Sequence, residues 1–370
     1  MEGIRVLAEW AEERFVGAVP PPGVPKPLCI AHVAAATLAI ALSSVVFGGC
    51  RRNSADDGLR HVSVLLDWTP QMERIGFIVA DARGYYRNAG LAVTMEEGQG
   101  AITTAALVGA GKYPLGIATG GATIIARSRG AKVVSLALIN QHSPTVIFAP
   151  ASSGIRTPSD LVGKRIGLVR TGVKYDEYCA LMNKLGIDRS MITEVEVGKS
   201  VASVLGGTVD AMLGYTEDQP VLAELAGEEI VRIPIDRYGI GILSTNIIAN
   251  ERYLRWHADI CRAFVEASLH GWRRAVERPE EAVMFYLERY PGSDEQFMRE
   301  NFRRFIPILF SRDVDSLGLG VQTLAGFQQT EQLLFDLGIT KVHVSPAAAF
   351  TNRLLPRIKV HMPSAFLSEE

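Results

Sequence analysis

An α/β chain folded as two lobes, each a mixed, mostly parallel sheet flanked by helices, is the architecture this sequence predicts. Three observations predict it. Short apolar runs of strand length alternate with segments whose apolar residues recur at helical spacing, the mark of repeated βα units. The alternation runs twice, over 62–139 and over 157–213, and an apolar run at 240–248 leads back toward the first series. The 370 residues suffice for two lobes of ordinary domain size.

Residues 62–66 (VSVLL) read as a buried strand, broken by Asp67, Trp68, Thr69 and Pro70. Thr69 suits an N-cap and Pro70 the first helical position, so a helix is expected from there to Gly84, carried by Met72, Ile75, Ile78 and Ala82. A strand at 92–95, a helix at 103–108, a strand at 115–118, a helix at 122–128 and a strand at 132–139 follow. The second series opens on a capped turn at 157–161, then a strand at 164–169 and a helix at 175–185 stopped by Gly186. A strand at 194–197, a helix at 201–205 and a strand at 210–213 complete it, and 240–248 is the return strand. Beyond Glu251 the pattern is helical, at 254–275, 280–289, 294–305 and 324–337.

Crossings near 143–150 and 236–246 divide the chain into a first lobe of 61–145 plus 242–370 and a second of 146–241. Ligands of open α/β sheets sit beyond the carboxyl ends of strands. The candidate loops are therefore 67–71, 96–100, 118–122, 140–143, 169–175 and 214–219.

The first fifty residues read as an export segment. Positions 28–49 hold no Asp, Glu, Lys or Arg and end in Gly48 and Gly49 directly before Cys50, the shape of a secretory signal. The FGGC ending resembles a bacterial lipobox, with Cys50 as the lipidated residue and Phe47 where Leu is usual. A retained transmembrane anchor and a free secreted form stand beside that reading. All three place the domain outside the cytoplasm, on the periplasmic side of a membrane in the lipidated form. Residues 51–60 form a polar tether.

Composition excludes several classes. A net charge of -2 without a basic run argues against a nucleic-acid partner. Cys29, Cys50, Cys179 and Cys261 form no CxxC pair, so neither a metal site nor a redox motif is expected, and no cofactor is implied. Gly-x-Ser-x-Gly and His-Glu-x-x-His are absent, which leaves catalysis without a motif.

LLDWTP (65–70) with IGFIVADARGYYRNAGLAV (75–93), GIRTPSDLVGKRIGLV (154–169), GGTVDAMLGYTEDQP (206–220) and FTNRLLP (350–356) appear in that order. Together they resemble the substrate-binding proteins of ABC importers of the thiamine-pyrimidine-precursor type, with nitrate, sulfonate and taurine binders as more distant relatives. The resemblance implies a periplasmic-binding-protein fold of the second type, acting as a monomer. A small molecule would be trapped by hinge closure and passed to an ABC permease and its ATPase; with no Walker A motif here, the ATPase is another chain.

Candidate ligand residues follow from loop position and from the resemblance. Trp68 offers a flat apolar face and Asp67 an acceptor for an amino-pyrimidine edge; each could instead be structural, as a wedge and a helix cap. Gln71 and Glu73 stand where pyrimidine-binding relatives carry Asn and His, a departure that changes the donors of that turn. Thr119 and Gly120 open a helix whose N–H groups would favour acceptors, with a plain tight turn as the equal alternative. Gln141 and His142 resemble a QH pair of the pyrimidine branch, and a hinge role is equally open. Arg170 and Thr171, with Lys174 and Tyr175 beyond, open the second lobe's main helix and would meet a carboxylate or phosphate, or else form a solvated rim. Tyr215, Glu217 and Asp218 form an acidic, aromatic cluster suited to an amine-bearing ring.

The expectation is thus an extracytoplasmic binding protein for a small nitrogen heterocycle. Its alternatives are a pyrimidine-synthase-like enzyme, a binder of sulfonate, nitrate or flavin, and a receptor feeding a sensor protein.

Overall fold

The computed structural model describes residues 58–69 and 71–363. The apolar segment 28–49, Cys50 and most of the tether lie outside the described residues. Among the described residues, no helix is long and apolar enough to cross a membrane.

The strands are β1 (Arg60–Leu65), β2 (Leu91–Glu96), β3 (Leu115–Thr119), β4 (Val133–Leu138) and β5 (Thr145–Pro150). They continue as β6 (Arg165–Leu168), β7 (Thr193–Glu196), β8 (Ala211–Tyr215), β9 (Ile230–Pro234) and β10 (Thr245–Asn250). Nine helices bear on the architecture. The first five are α1 (Ile75–Ala82), α2 (Ala101–Gly109), α3 (Gly120–Ser128), α4 (Val173–Leu185) and α5 (Gln219–Leu225). The rest are α6 (Ala258–Glu277), α7 (Pro279–Arg289), α8 (Glu295–Phe305) and α9 (Leu324–Asp336).

Two five-stranded sheets result, ordered β2-β1-β3-β10-β4 and β7-β6-β8-β5-β9. In each, four strands run one way and one runs against them. That strand is β10 in the first lobe, antiparallel to β3 and β4, and β5 in the second, antiparallel to β8 and β9. Each reversed strand is the one the chain enters directly after crossing from the other lobe, so the two crossings run side by side as residues 139–144 and 235–244. The mixed, mostly parallel character predicted from βα alternation is therefore correct.

The largest apolar cluster lies under the first sheet, where α1 and α6 cross. Glycines set that distance: a Cβ on Gly271 would fall 2.1 Å from the Gly76 carbonyl oxygen, and one on Gly76 would fall 2.2 Å from the Trp272 ring. Ile147, Ile166, Leu168, Leu181 and Leu213 centre the second lobe's own core.

Several local expectations change. The helix after β1 starts later than Thr69: a 3-10 turn, Met72–Arg74, comes first, its N-cap Gln71 extended and without a side-chain cap. The predicted return strand at 240–248 begins only at Thr245, because the Ile242 N–H is taken by Glu177 and the Leu243 N–H by Thr330. The helix expected over 254–275 is two, broken at His257 with φ -134° and ψ 44°. Residues 145–150, read as part of a crossing, form β5, while β9 and α5 were not anticipated. The turn at 157–161 is capped as predicted, with Thr157 and Asp160 forming a reciprocal capping box.

Candidate functional site

The loop that follows β1 is braced from within. Arg74, only 6% exposed, pairs its guanidinium with the Asp67 carboxylate and donates to the Glu73 carbonyl at 3.1 Å. The Asp67 carbonyl accepts the Gly100 N–H at 2.6 Å. The Asp67 carboxylate is thus already engaged by a cation of its own lobe, whereas Trp68 stands 48% exposed at the end of the strand.

From the second lobe, β8 ends at Tyr215 and turns through Glu217 and Asp218 into α5. Gln219 stiffens this turn, accepting the Tyr215 N–H at 3.0 Å and donating to the Asp218 carboxylate at 2.9 Å. Lys174, near the start of α4, places its Nζ 4.4 Å from the centre of the Tyr215 ring, a cation–π distance.

These loops meet. Glu73 of the first lobe interacts electrostatically with Glu217, Asp218, Lys174 and Tyr215 of the second. Burial pushes the Glu73 carboxyl above its ordinary range, against the pull of Arg74. Glu217 is lifted further, by burial first and by the neighbouring Glu73 second. Burial raises Asp218 against the attraction of Lys174, and it depresses Lys174 against the attraction of Asp218. A carboxyl cluster of this kind favours holding protons until a cation or donor arrives.

A cavity of about 490 Å³ opens here, lined by Gln71 and Glu73 from the first loop and by Glu217 and Asp218 from the second. Its third wall comes from α7, α8 and the turn between them, including Tyr286, Tyr290 and Asn301. Glu217 is 2% exposed, and neither of its carboxyl oxygens has a hydrogen-bond partner.

Other predicted residues lie elsewhere. Thr119 caps α3, accepting the Ala122 N–H at 3.0 Å, and the Gly120 N–H donates to the Ser244 carbonyl at 2.9 Å. A Cβ at Gly120 would meet Leu243 Cβ at 2.4 Å, so this glycine seats the second crossing; its N–H is not open to an anion. Gln141 ties the first crossing to the C-terminal segment, donating to the Leu138 and Val321 carbonyls at 3.2 Å each. His142 pairs with Asp236 at 3.2 Å, crossing to crossing, and that hydrogen bond raises its basicity. Arg170 is exposed and donates to the Glu194 carbonyl at 2.8 Å along the edge of the second sheet. Thr171 is exposed on the same turn. Tyr175 accepts from Arg189 at its hydroxyl and lies beside Tyr178 with the rings tilted by 31°, on a face of α4 different from that of Lys174.

The sequence reading overlooked Arg74, Glu177 and Asn301. Glu177 is fully buried on α4 and holds both crossings, accepting the Ser143 hydroxyl at 2.8 Å and the Ile242 N–H at 2.7 Å. Only a charged residue at a core-facing helical position signalled it. Asn301 is likewise a polar residue on the buried face of an otherwise apolar helix stripe. Among the described residues, no group of three His, Cys, Asp or Glu side chains is placed to hold a metal ion.

The model of the NMT1/THI5-like family matches residues 71–282, more than half of the chain. The chain belongs to the NMT1/THI5-like family. Proteins similar to it differ in what they are named for. The riboflavin-binding protein RibY of Chloroflexus aurantiacus is 24% identical over 82% of this chain and 88% of its own length. A formylaminopyrimidine-binding protein of Halalkalibacterium halodurans is 26% identical over 74% and 85%. A 4-amino-5-hydroxymethyl-2-methylpyrimidine phosphate synthase of Legionella pneumophila is 26% identical over 80% and 92%. Among solved structures, the periplasmic aliphatic sulphonate binding protein SsuA of Escherichia coli superposes with a TM-score of 0.62 at 15% identity, over 78% of this chain and 97% of that one. This NMT1/THI5-like chain therefore has the periplasmic-binding-protein fold, as its opposed sheets and paired crossings already indicate.

Proposed function

We propose that this protein is the extracytoplasmic substrate-binding component of an ABC importer, a non-catalytic clamp that closes on a small nitrogen heterocycle. A thiamine pyrimidine precursor or a related amine-bearing ring is the ligand class. One observation carries the reading: loops from both lobes face each other across one cavity, lined by Glu73 from one and by Glu217 and Asp218 from the other, with Lys174 and Tyr215 within electrostatic reach of Glu73. Carboxyls accept from ring amines, the Tyr215 ring offers a stacking surface, and exposed Trp68 stands at the end of β1 as a second apolar face. Among the described residues, three carboxyls, Glu73, Glu217 and Asp218, face the cavity with one cation, Arg289. Relatives named for riboflavin and formylaminopyrimidine binding support the same ligand class. Lipid anchoring at Cys50 and handover to a permease and ATPase belong to this proposal and rest on the sequence.

A thermal-shift panel of aminopyrimidines, flavins, purines, alkanesulfonates and nitrate tests it. A ligand at 100 times its dissociation constant adds about 2.7 kcal/mol of stability, a readable rise in midpoint. A pyrimidine or flavin hit without turnover of the hit is the expected outcome. Conversion of the ligand would favour the synthase-like reading instead, and a response to sulfonates alone would remove the heterocycle.

A further inference from the structure

We infer that Glu217 and Asn301 select the ligand, receiving an N=C–NH2 edge on the heterocycle from two walls of the same cavity. The inference rests on the binding-protein reading above and names the chemistry by which that cavity discriminates.

Two buried polar side chains line the cavity with unmet hydrogen-bonding capacity. Glu217 is 2% exposed and both of its oxygens are unpartnered; Asn301 is 7% exposed and its Oδ1 is unpartnered. Buried polar atoms are almost always satisfied, because leaving one unpaired forfeits its hydration with no return. Two such residues facing one cavity mark places where an absent molecule supplies the partners.

The chemistry of the missing group follows from the protons. Burial and the adjacent Glu73 favour a neutral Glu217 carboxyl. A neutral carboxyl presents one O–H donor and one acceptor oxygen, the complement of a ring nitrogen beside an exocyclic amine. If the proton passes to the ring, a carboxylate faces an amidinium-like edge through the same two hydrogen bonds. Either way the pair holds one proton and gains two parallel bonds. Asn301, on α8, offers its unpartnered Oδ1 as an acceptor from the second wall, suited to the other N–H of the exocyclic amine. An oxyanion offers acceptors only and cannot complete the donor–acceptor pair that the edge makes with Glu217.

The oxygens of Glu217 and the Asn301 Oδ1 hold no other element in place, and replacing an unpartnered buried polar group by an apolar one of similar size removes a cost. Glu217→Leu and Asn301→Leu are therefore expected to unfold at the wild-type midpoint or above it. Glu217→Gln keeps one donor and one acceptor and is the conservative control.

The probes are 4-amino-2-methylpyrimidine, which carries the edge, 2,4-dimethylpyrimidine, which lacks the amine, and an alkanesulfonate, each titrated calorimetrically. Wild type is expected to bind the amino compound at least tenfold more tightly than the dimethyl one. Glu217→Leu should abolish that preference, and Glu217→Gln should restore most of it. Asn301→Leu should weaken the amino compound by several-fold. Equal wild-type affinity for the two pyrimidines, or undiminished preference in Glu217→Leu, overturns the inference and leaves the heterocycle-binding reading standing. Binding of the sulfonate alone overturns both the edge and the heterocycle while keeping a binding protein. No binding of any probe overturns the edge together with the ligand class.

Discussion

Glu177 makes the junction between the lobes sensitive to pH in a direction that can be worked out. Its carboxyl is fully buried and accepts from Ser143 in one crossing and from Ile242 in the other. Burial lifts it from an ordinary 4.5 to about 7, outweighing the hydrogen bonds that pull it down. A carboxyl raised on folding binds its proton more tightly in the native state. Its favourable contribution is complete below the unfolded value and is lost as pH rises toward 7. At about 1.4 kcal/mol per tenfold change in proton affinity, the loss is on the order of 3 kcal/mol between pH 4.5 and 8. Glu177→Gln keeps the shape and an acceptor for the Ile242 N–H but cannot ionise. The variant should match wild type within about 1 kcal/mol near pH 5, the worth of a single altered hydrogen bond, and then gain on it steadily up to pH 8. Urea unfolding of both proteins at four pH values between 5 and 8 reads this out. Parallel stability profiles would refute the reasoning, because the buried carboxyl would then titrate no differently in the folded chain.

Two further outcomes are expected near the cleft. Trp68→Ala should leave unfolding within about 0.5 kcal/mol of wild type, as for an exposed side chain, yet weaken the bound heterocycle tenfold or more in calorimetry; unchanged affinity would take Trp68 out of the site. Arg74→Met removes the cation beside Asp67 and should cost about 3–5 kcal/mol in chemical unfolding; a cost below about 1 kcal/mol would mean that the pair is surface-like despite the burial of Arg74.

Much of the architecture was readable because each lobe spells it locally. The run VSVLL before Asp67, the TPSD capping phrase before β6 and Gly186 closing α4 each carry their own stop or start signal. The reversed strands were harder. Residues 146–150 are apolar throughout, and nothing local separates a strand that joins a sheet backwards from a segment that merely connects two lobes. The same holds for 240–244, where Glu177 and Thr330 capture backbone N–H groups that would otherwise extend β10. Both partners are remote in sequence.

The site was legible loop by loop and obscure residue by residue. Strand-end positions singled out Tyr215, Glu217 and Asp218 and the family resemblance Glu73, and βα topology gathers those loops at one edge. Which neighbour faces inward depends on helical phase: Lys174 turns toward Tyr215 while Tyr175, one residue on, turns to Arg189. Arg170 is open to two readings in the sequence, an anion contact or a solvated rim, and only the β6–β7 pairing shows the Glu194 carbonyl within its reach. Asn301 belongs to the third wall of the cavity, built by helices far along the chain, and no motif joins it to Glu217.

The central claim is that two lobes close on a heterocycle held between them, and closure moves mass toward the centre. Small-angle scattering of the purified protein, with and without a saturating aminopyrimidine, measures that directly. A smaller radius of gyration in the bound state, lost in Glu217→Leu at the same ligand concentration, is the predicted result. A scattering profile unchanged by a ligand that calorimetry shows to be bound would contradict the clamp.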